Sequence, residues 1–176
     1  RGCFGAALAD SGREAEPGRI EELIVRKAAR YAQAAEAGLR IFPHAAESLI
    51  GLAERWPVAI CSGALRPEIE FALRKMNAID RVGLIVSAED TTACKPDPEG
   101  YLKALAGLRA GHPDLAAFEC VVIEDSLAGV AAAKSAGMNA VGVTHAYSGD
   151  ELRAAGADEV IESLSLFLPD WVASRF

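Results

Sequence analysis

The chain has 176 residues, 51% of them hydrophobic and 24% charged, and 18 Lys and Arg against 25 Asp and Glu leave a net charge of −7. That length suits one domain, or one domain with a small appendage, and is enough to bury a core. The composition excludes a disordered or disulfide-stapled chain, the acidic balance argues against a nucleic-acid binder, and no apolar run approaches the roughly 18 residues of a membrane span.

Residues 1 to about 41 read as helical. Glu21 to Leu39 contains no proline, and Ile20, Leu23, Ile24, Ala28, Tyr31 and Ala35 fall at helical spacing on one apolar stripe, with Gly38 as the stop. From residue 42 the pattern changes. Short apolar runs at Val58–Cys61, Leu84–Val86, Cys120–Ile123, Ala140–Val143 and Glu159–Ile161 alternate with helical stretches at 45–55, 66–76, 98–108, 127–136 and 149–155. The runs are continuously apolar, as in strands covered by helices on both faces. Strand–helix alternation predicts an α/β fold with a parallel sheet, whose chemistry gathers at the carboxyl ends of the strands. Cys3, Cys61, Cys94 and Cys120 form no CxxC pair and no zinc spacing, which suits reduced thiols in a cytoplasmic protein.

The strand ends carry the candidate chemistry. Ser62 and Gly63 follow the first strand, where a hydroxyl, a backbone N–H and a close approach suit phosphate oxygens; alone, Ser62 is more often a turn or cap serine. Lys95 is held extended by Pro96, just before a helix opened by Asp97 as N-cap and Pro98 in the first turn. It can place a point charge on an anion or simply be solvated. Glu124 and Asp125 end the third strand, where two adjacent carboxylates are costly unless compensated. Mg²⁺ would compensate them. The alternative is that Asp125 or Ser126 caps the next helix, which Gly137 closes. His145 after the fourth strand is more often a loop residue, and His44 and His112 lie in turns beside prolines. A hydroxyl, an ammonium and an acidic pair in this order suit phosphoryl transfer, which needs positive charge on the phosphate oxygens and a metal.

These residues resemble the haloacid dehalogenase superfamily, in its phosphoglycolate phosphatase-like and β-phosphoglucomutase-like branch. Val58 to Ala64 resembles motif two, Cys94 to Tyr101 motif three, and Val121 to Met138 motif four, in the family's order. The resemblance implies a Rossmann-like three-layer core over residues 42–176 and the latter part of a helical cap over 1–41. It implies that Ser62 and Gly63 bind the phosphoryl group, that Lys95 neutralises nucleophile and phosphate, that Glu124 and Asp125 hold Mg²⁺, and that Arg1 lies within reach of a substrate anion. Motif one, Asp-x-Asp-x-Thr, is not found; Asp10 and Asp114 have no strand-end context to replace it. The core is therefore expected to lack its first, central strand, and the nucleophilic Asp is expected from a preceding segment or another chain. The implied activity is Mg²⁺-dependent transfer through an aspartyl-phosphate, with a phosphatase acting on a small phosphorylated metabolite such as a sugar phosphate ranked above a phosphosugar mutase. A non-catalytic relative is the rival from another class. A phosphorelay receiver would place its acids first and its lysine last, the reverse of the order here.

Overall fold

A computed structural model describes residues 17–176; Arg1, Cys3, Asp10 and the start of the expected N-terminal helix lie outside the described residues. The first helix, α1 (Pro17–Gly38), carries the expected stripe: Ile20, Leu23, Ile24, Ala28 and Tyr31 are half-buried and their neighbours exposed. Lys27 shares that stripe because its ammonium pairs with Glu68, whose side chain is buried. Gly38, at φ 140°, ends the helix in a conformation that side chains disfavour.

From Ala45 the chain alternates: α2 (Ala45–Ala53), β1 (Ala59–Cys61), α3 (Arg66–Lys75), β2 (Leu84–Val86), α4 (Glu99–Leu108), β3 (Val121–Glu124), α5 (Leu127–Ser135), β4 (Asn139–Val143), α6 (Gly149–Ala154), β5 (Glu159–Ile161) and α7 (Pro169–Ala173). Every described strand pair is parallel. β1 pairs with β2, aligning Cys61 with Val86, while β3–β4–β5 form a second sheet aligning Glu124 with Gly142 and Val143 with Ile161. Among the described residues β1 and β3 do not pair.

Each strand of β3–β5 exposes alternate residues to two packed faces. On one face Ala140 meets Val130, Ala132 and Ala133 of α5, Leu152 of α6 and Tyr101 and Leu105 of α4. On the other Val141, Val143 and Ile161 meet Phe167 and Val172, with Leu52 of α2 against them. A third cluster joins Ile69 and Leu73 of α3 to Ile60 of β1, Ile85 of β2 and Leu49 and Ile50 of α2. Thus α2 and α4 each pack toward both sheets. Ser48 of α2 adds a polar tie, its buried hydroxyl donating to the Phe167 carbonyl at 2.6 Å.

The expectation of strands buried on both faces holds only for β4; β1 and β3 are half-buried throughout, because each borders the space between the two sheets. α4 opens at Glu99, one residue later than expected, although Asp97 does accept from the Glu99 N–H at 2.8 Å. α7 was not expected: five residues are too few for a helical period, and the proline in its first turn was the available signal. Among the described residues no helix is long and apolar enough to cross a membrane.

Candidate active site

The carboxyl ends of β1, β3 and β4 and the loop after β2 converge on one cavity of about 510 Å³, lined by Ser62, Gly63, Lys95, Glu124, Asp125 and His145 among others. A second cavity of about 910 Å³ shares Ser62, Gly63 and Lys95 and extends to Ile24 and Lys27 of α1 and to Thr91 and Thr92. The predicted core residues are therefore brought together.

Ser62 follows β1 directly. Its backbone N–H is not available to a ligand, contrary to the expectation from sequence, because it donates to the Val86 carbonyl at 2.9 Å and extends the ladder by one bond. Its hydroxyl oxygen accepts from the Ala64 N–H at 3.2 Å, which leaves the hydroxyl proton to be donated. The Gly63 N–H has no partner among the described residues and is free to face the cavity.

Lys95 sits on the loop between β2 and α4, and its peptide bond to Pro96 is cis. Glu99 ties that loop down: it accepts from Thr92 N–H at 2.9 Å, Thr92 Oγ1 at 3.0 Å and Ala93 N–H at 2.7 Å, and pairs with Lys103. The Lys95 ammonium reaches across to Glu124, forms an ion pair with it, and also donates to the Cys61 carbonyl at 3.3 Å. α4 can come this close to β1 because residue 100 is glycine; a Cβ there would stand 2.7 Å from the Cys61 sulfur.

The two acids differ sharply. Glu124 Oε1 takes Lys95 and the Tyr101 hydroxyl, the latter at 2.7 Å. Its Oε2 takes the Ser126 hydroxyl at 2.9 Å and the Ser126 N–H at 3.3 Å. Burial pushes this carboxyl up, but Lys95, Tyr101 and Ser126 outweigh it and hold Glu124 below the ordinary carboxylate range. Ser126 is the N-cap of α5, its hydroxyl oxygen accepting from the Gly129 N–H at 3.0 Å. Asp125, by contrast, lines the cavity with no hydrogen bond or ion pair among the described residues. A half-buried carboxylate left unpaired at a cavity wall fits a hard cation, and Glu124 beside it adds a second oxygen donor if one of its four partners yields. Among the described residues no group of three His, Cys, Asp or Glu is placed to hold a metal ion.

His145 stacks on Phe42 with ring centroids 4.0 Å apart and closes the cavity's other side. Cys61 lines it too, but burial raises its thiol more than Lys95 lowers it, so it is no ready nucleophile. Cys61, Cys94 and Cys120 are all free. Sequence reasoning gave Tyr101, at the end of the Cys94–Tyr101 stretch, no role of its own. A buried tyrosine hydroxyl needs a polar partner, and that requirement was the one available signal.

A family model described as haloacid dehalogenase-like hydrolase matches residues 4–137. The chain belongs to that family. It is 33% identical over 111 residues to validoxylamine A 7'-phosphate phosphatase of Streptomyces hygroscopicus subsp. limoneus, covering 63% of this chain and 49% of that protein. It is 28% identical over 165 residues to phosphoglycolate phosphatase of Pectobacterium atrosepticum, covering 93% and 68% respectively. It thus spans between about half and two thirds of the length of these relatives. Among solved structures a hydrolase from Pseudomonas syringae superposes with a TM-score of 0.76 at 25% identity, over 90% of this chain and 71% of that one. The β-phosphoglucomutase of Clostridium difficile shares the fold, with a TM-score of 0.78 at 20% identity over 98% of this chain and 74% of that one.

Proposed function

We propose that this site performs phosphoryl transfer on a small phosphorylated metabolite such as a sugar phosphate, as a Mg²⁺-dependent phosphatase. The observation that carries the reading is the convergence of Lys95, the Ser62 hydroxyl, the free Gly63 N–H and the unpartnered Asp125 carboxylate on one cavity at the strand ends. Relatives named as phosphatases support the reaction class.

In this reading the substrate phosphate lies where the two cavities meet. The Ser62 hydroxyl and the Gly63 N–H donate to its oxygens, and Lys95 supplies a fixed positive charge as negative charge spreads over them. Asp125 and Glu124 would hold Mg²⁺, which when bound neutralises charge on the phosphoryl group. Glu124 and Asp125 are the carboxylates that line the smaller cavity, and both are assigned to the metal. The family resemblance assigns the attack that forms the aspartyl-phosphate to a nucleophilic Asp, which would come from residues other than those described. The larger cavity, walled by α1, takes the leaving group and sets substrate choice; Arg1, outside the described residues, remains a proposed contact to a substrate anion. Thiols without disulfides suit a cytoplasmic site of action.

The test is phosphate release from a panel of sugar phosphates with and without Mg²⁺. Lys95→Ala and Asp125→Ala should each lower turnover by about 10²-fold or more. Turnover that survives either substitution, or that ignores Mg²⁺, refutes the reading; an isomerised sugar phosphate without free phosphate would make the protein a mutase.

A further inference from the structure

We propose that Tyr101 is a positioning residue that sets how much of the Lys95 charge is offered to a phosphate, acting through Glu124. The inference rests on the phosphate reading of the site above and assigns a role to a side chain that touches neither phosphate nor metal in it.

Tyr101 is 6% exposed and belongs to the cluster under α5. Packing alone would be served by phenylalanine. The hydroxyl, however, donates to Glu124 Oε1, the same oxygen that receives Lys95. Its ring also lies beneath the ammonium, 4.8 Å from Nζ to the centroid. One side chain thus contacts both members of the ion pair. The ring face attracts the ammonium. The hydroxyl draws electron density from the carboxylate oxygen that would otherwise serve Lys95 alone.

The rest of the cradle leaves Glu124 no other place to go. Ser126 holds Oε2 through both N–H and hydroxyl, and the backbone of Gly129 lies against the carboxylate, where a Cβ would stand 2.0 Å from Cδ. With the carboxylate fixed, Lys95 has defined contacts with Glu124 and the Cys61 carbonyl and one N–H left for the cavity. Without the Tyr101 hydroxyl, Oε1 serves Lys95 alone, the ammonium is held more closely by Glu124, and less of its charge reaches an incoming anion.

The experiment is calorimetric titration of inorganic phosphate into the protein without added divalent metal, with thermal melts alongside. Tyr101→Phe keeps ring and volume, and is expected to weaken phosphate about tenfold. In a Glu124→Gln background the same substitution is expected to change affinity less than about twofold, because the path through the carboxylate charge is gone. Equal affinity of wild type and Tyr101→Phe overturns the proposal, as does an undiminished effect in the Glu124→Gln background; a merely structural tyrosine would lower the melting temperature and leave affinity alone. Wild type also offers a measurement without any variant. The Tyr101 hydroxyl proton should give a slowly exchanging resonance that shifts when phosphate draws on Lys95, and a resonance indifferent to bound phosphate counts against the proposal. If wild type itself binds no phosphate, the phosphate reading falls, and this inference with it.

Discussion

Gly129→Ala separates two opposed forces at a single atom. Gly129 lies in the first turn of α5, where intrinsic helix propensity favours alanine by about 1 kcal/mol. The added Cβ, however, would stand 2.0 Å from Glu124 Cδ and 2.3 Å from each carboxylate oxygen. Neither side can yield cheaply. Glu124 has donors on both oxygens, and the Gly129 N–H is held by the Ser126 cap. Overpacking of this kind costs about 1–3 kcal/mol. Pushing the carboxylate off Lys95 or Tyr101 adds about 1.5–3 kcal/mol for a hydrogen bond to a charged group. Net of the helix gain, a loss of about 1.5–5 kcal/mol is expected, or about 3–20 °C in melting temperature for a chain of this size. Urea denaturation followed by circular dichroism measures it. Gly51→Ala is the control: it sits inside α2, where a Cβ would meet only Pro169 at an ordinary 3.6 Å, so it should gain up to about 1 kcal/mol. If Gly129→Ala is as stable as wild type, or gains like Gly51→Ala, the cradle around Glu124 is wrong.

Two further perturbations test the scaffold. Ser48→Ala removes the buried hydroxyl that satisfies the Phe167 carbonyl, and should cost about 1–3 kcal/mol in the same denaturation assay; a change under about 0.5 kcal/mol would show that the tie is dispensable. Glu99 tests the Lys95 loop through pH. Lys103, together with Ala93 and Thr92, holds the Glu99 carboxyl at about 2 against an ordinary 4.5. A depressed folded-state pKa stabilises above the unfolded value and ceases to as protons bind, so its contribution is complete above about pH 4.5 and fades toward pH 2. Glu99→Gln should therefore flatten the fall in urea midpoint between pH 5 and pH 2.5, and parallel curves for the two proteins would refute the assignment.

Much of the architecture was legible because it rests on local pattern. β2 and β5 stand at Leu84–Val86 and Glu159–Ile161, where the apolar runs put them, and Gly38 and Gly137 close their helices at positive φ. Ser126 caps α5 because a hydroxyl before a helical run is a local signal. What could not be read was nonlocal. No spacing rule reveals that the Ser62 amide is spent on Val86, or that the burial of β1 and β3 is only partial, since both depend on which strands pair. The site behaved likewise. Residue types named Ser62, Lys95, Glu124 and Asp125, but adjacency in sequence made the two acids look equivalent. Tertiary contacts from α4 and α5 saturate Glu124 and leave Asp125 open.

Among the described residues β1 and β3 do not pair, and this gives the Lys95–Glu124 contact a second meaning. Lys95 belongs to the half of the molecule built on β1 and β2, Glu124 to the half built on β3, β4 and β5. Their ion pair is thus a rivet across a seam that, among the described residues, no backbone ladder closes. An anion that draws Lys95 away from Glu124 loosens that rivet as it binds, so its measured affinity is what remains after the seam has been partly unfastened. Ligand occupancy and the cohesion of the two halves are then one thermodynamic quantity seen from two sides, and a substitution that tightens the joint for stability's sake should weaken the grip on phosphate.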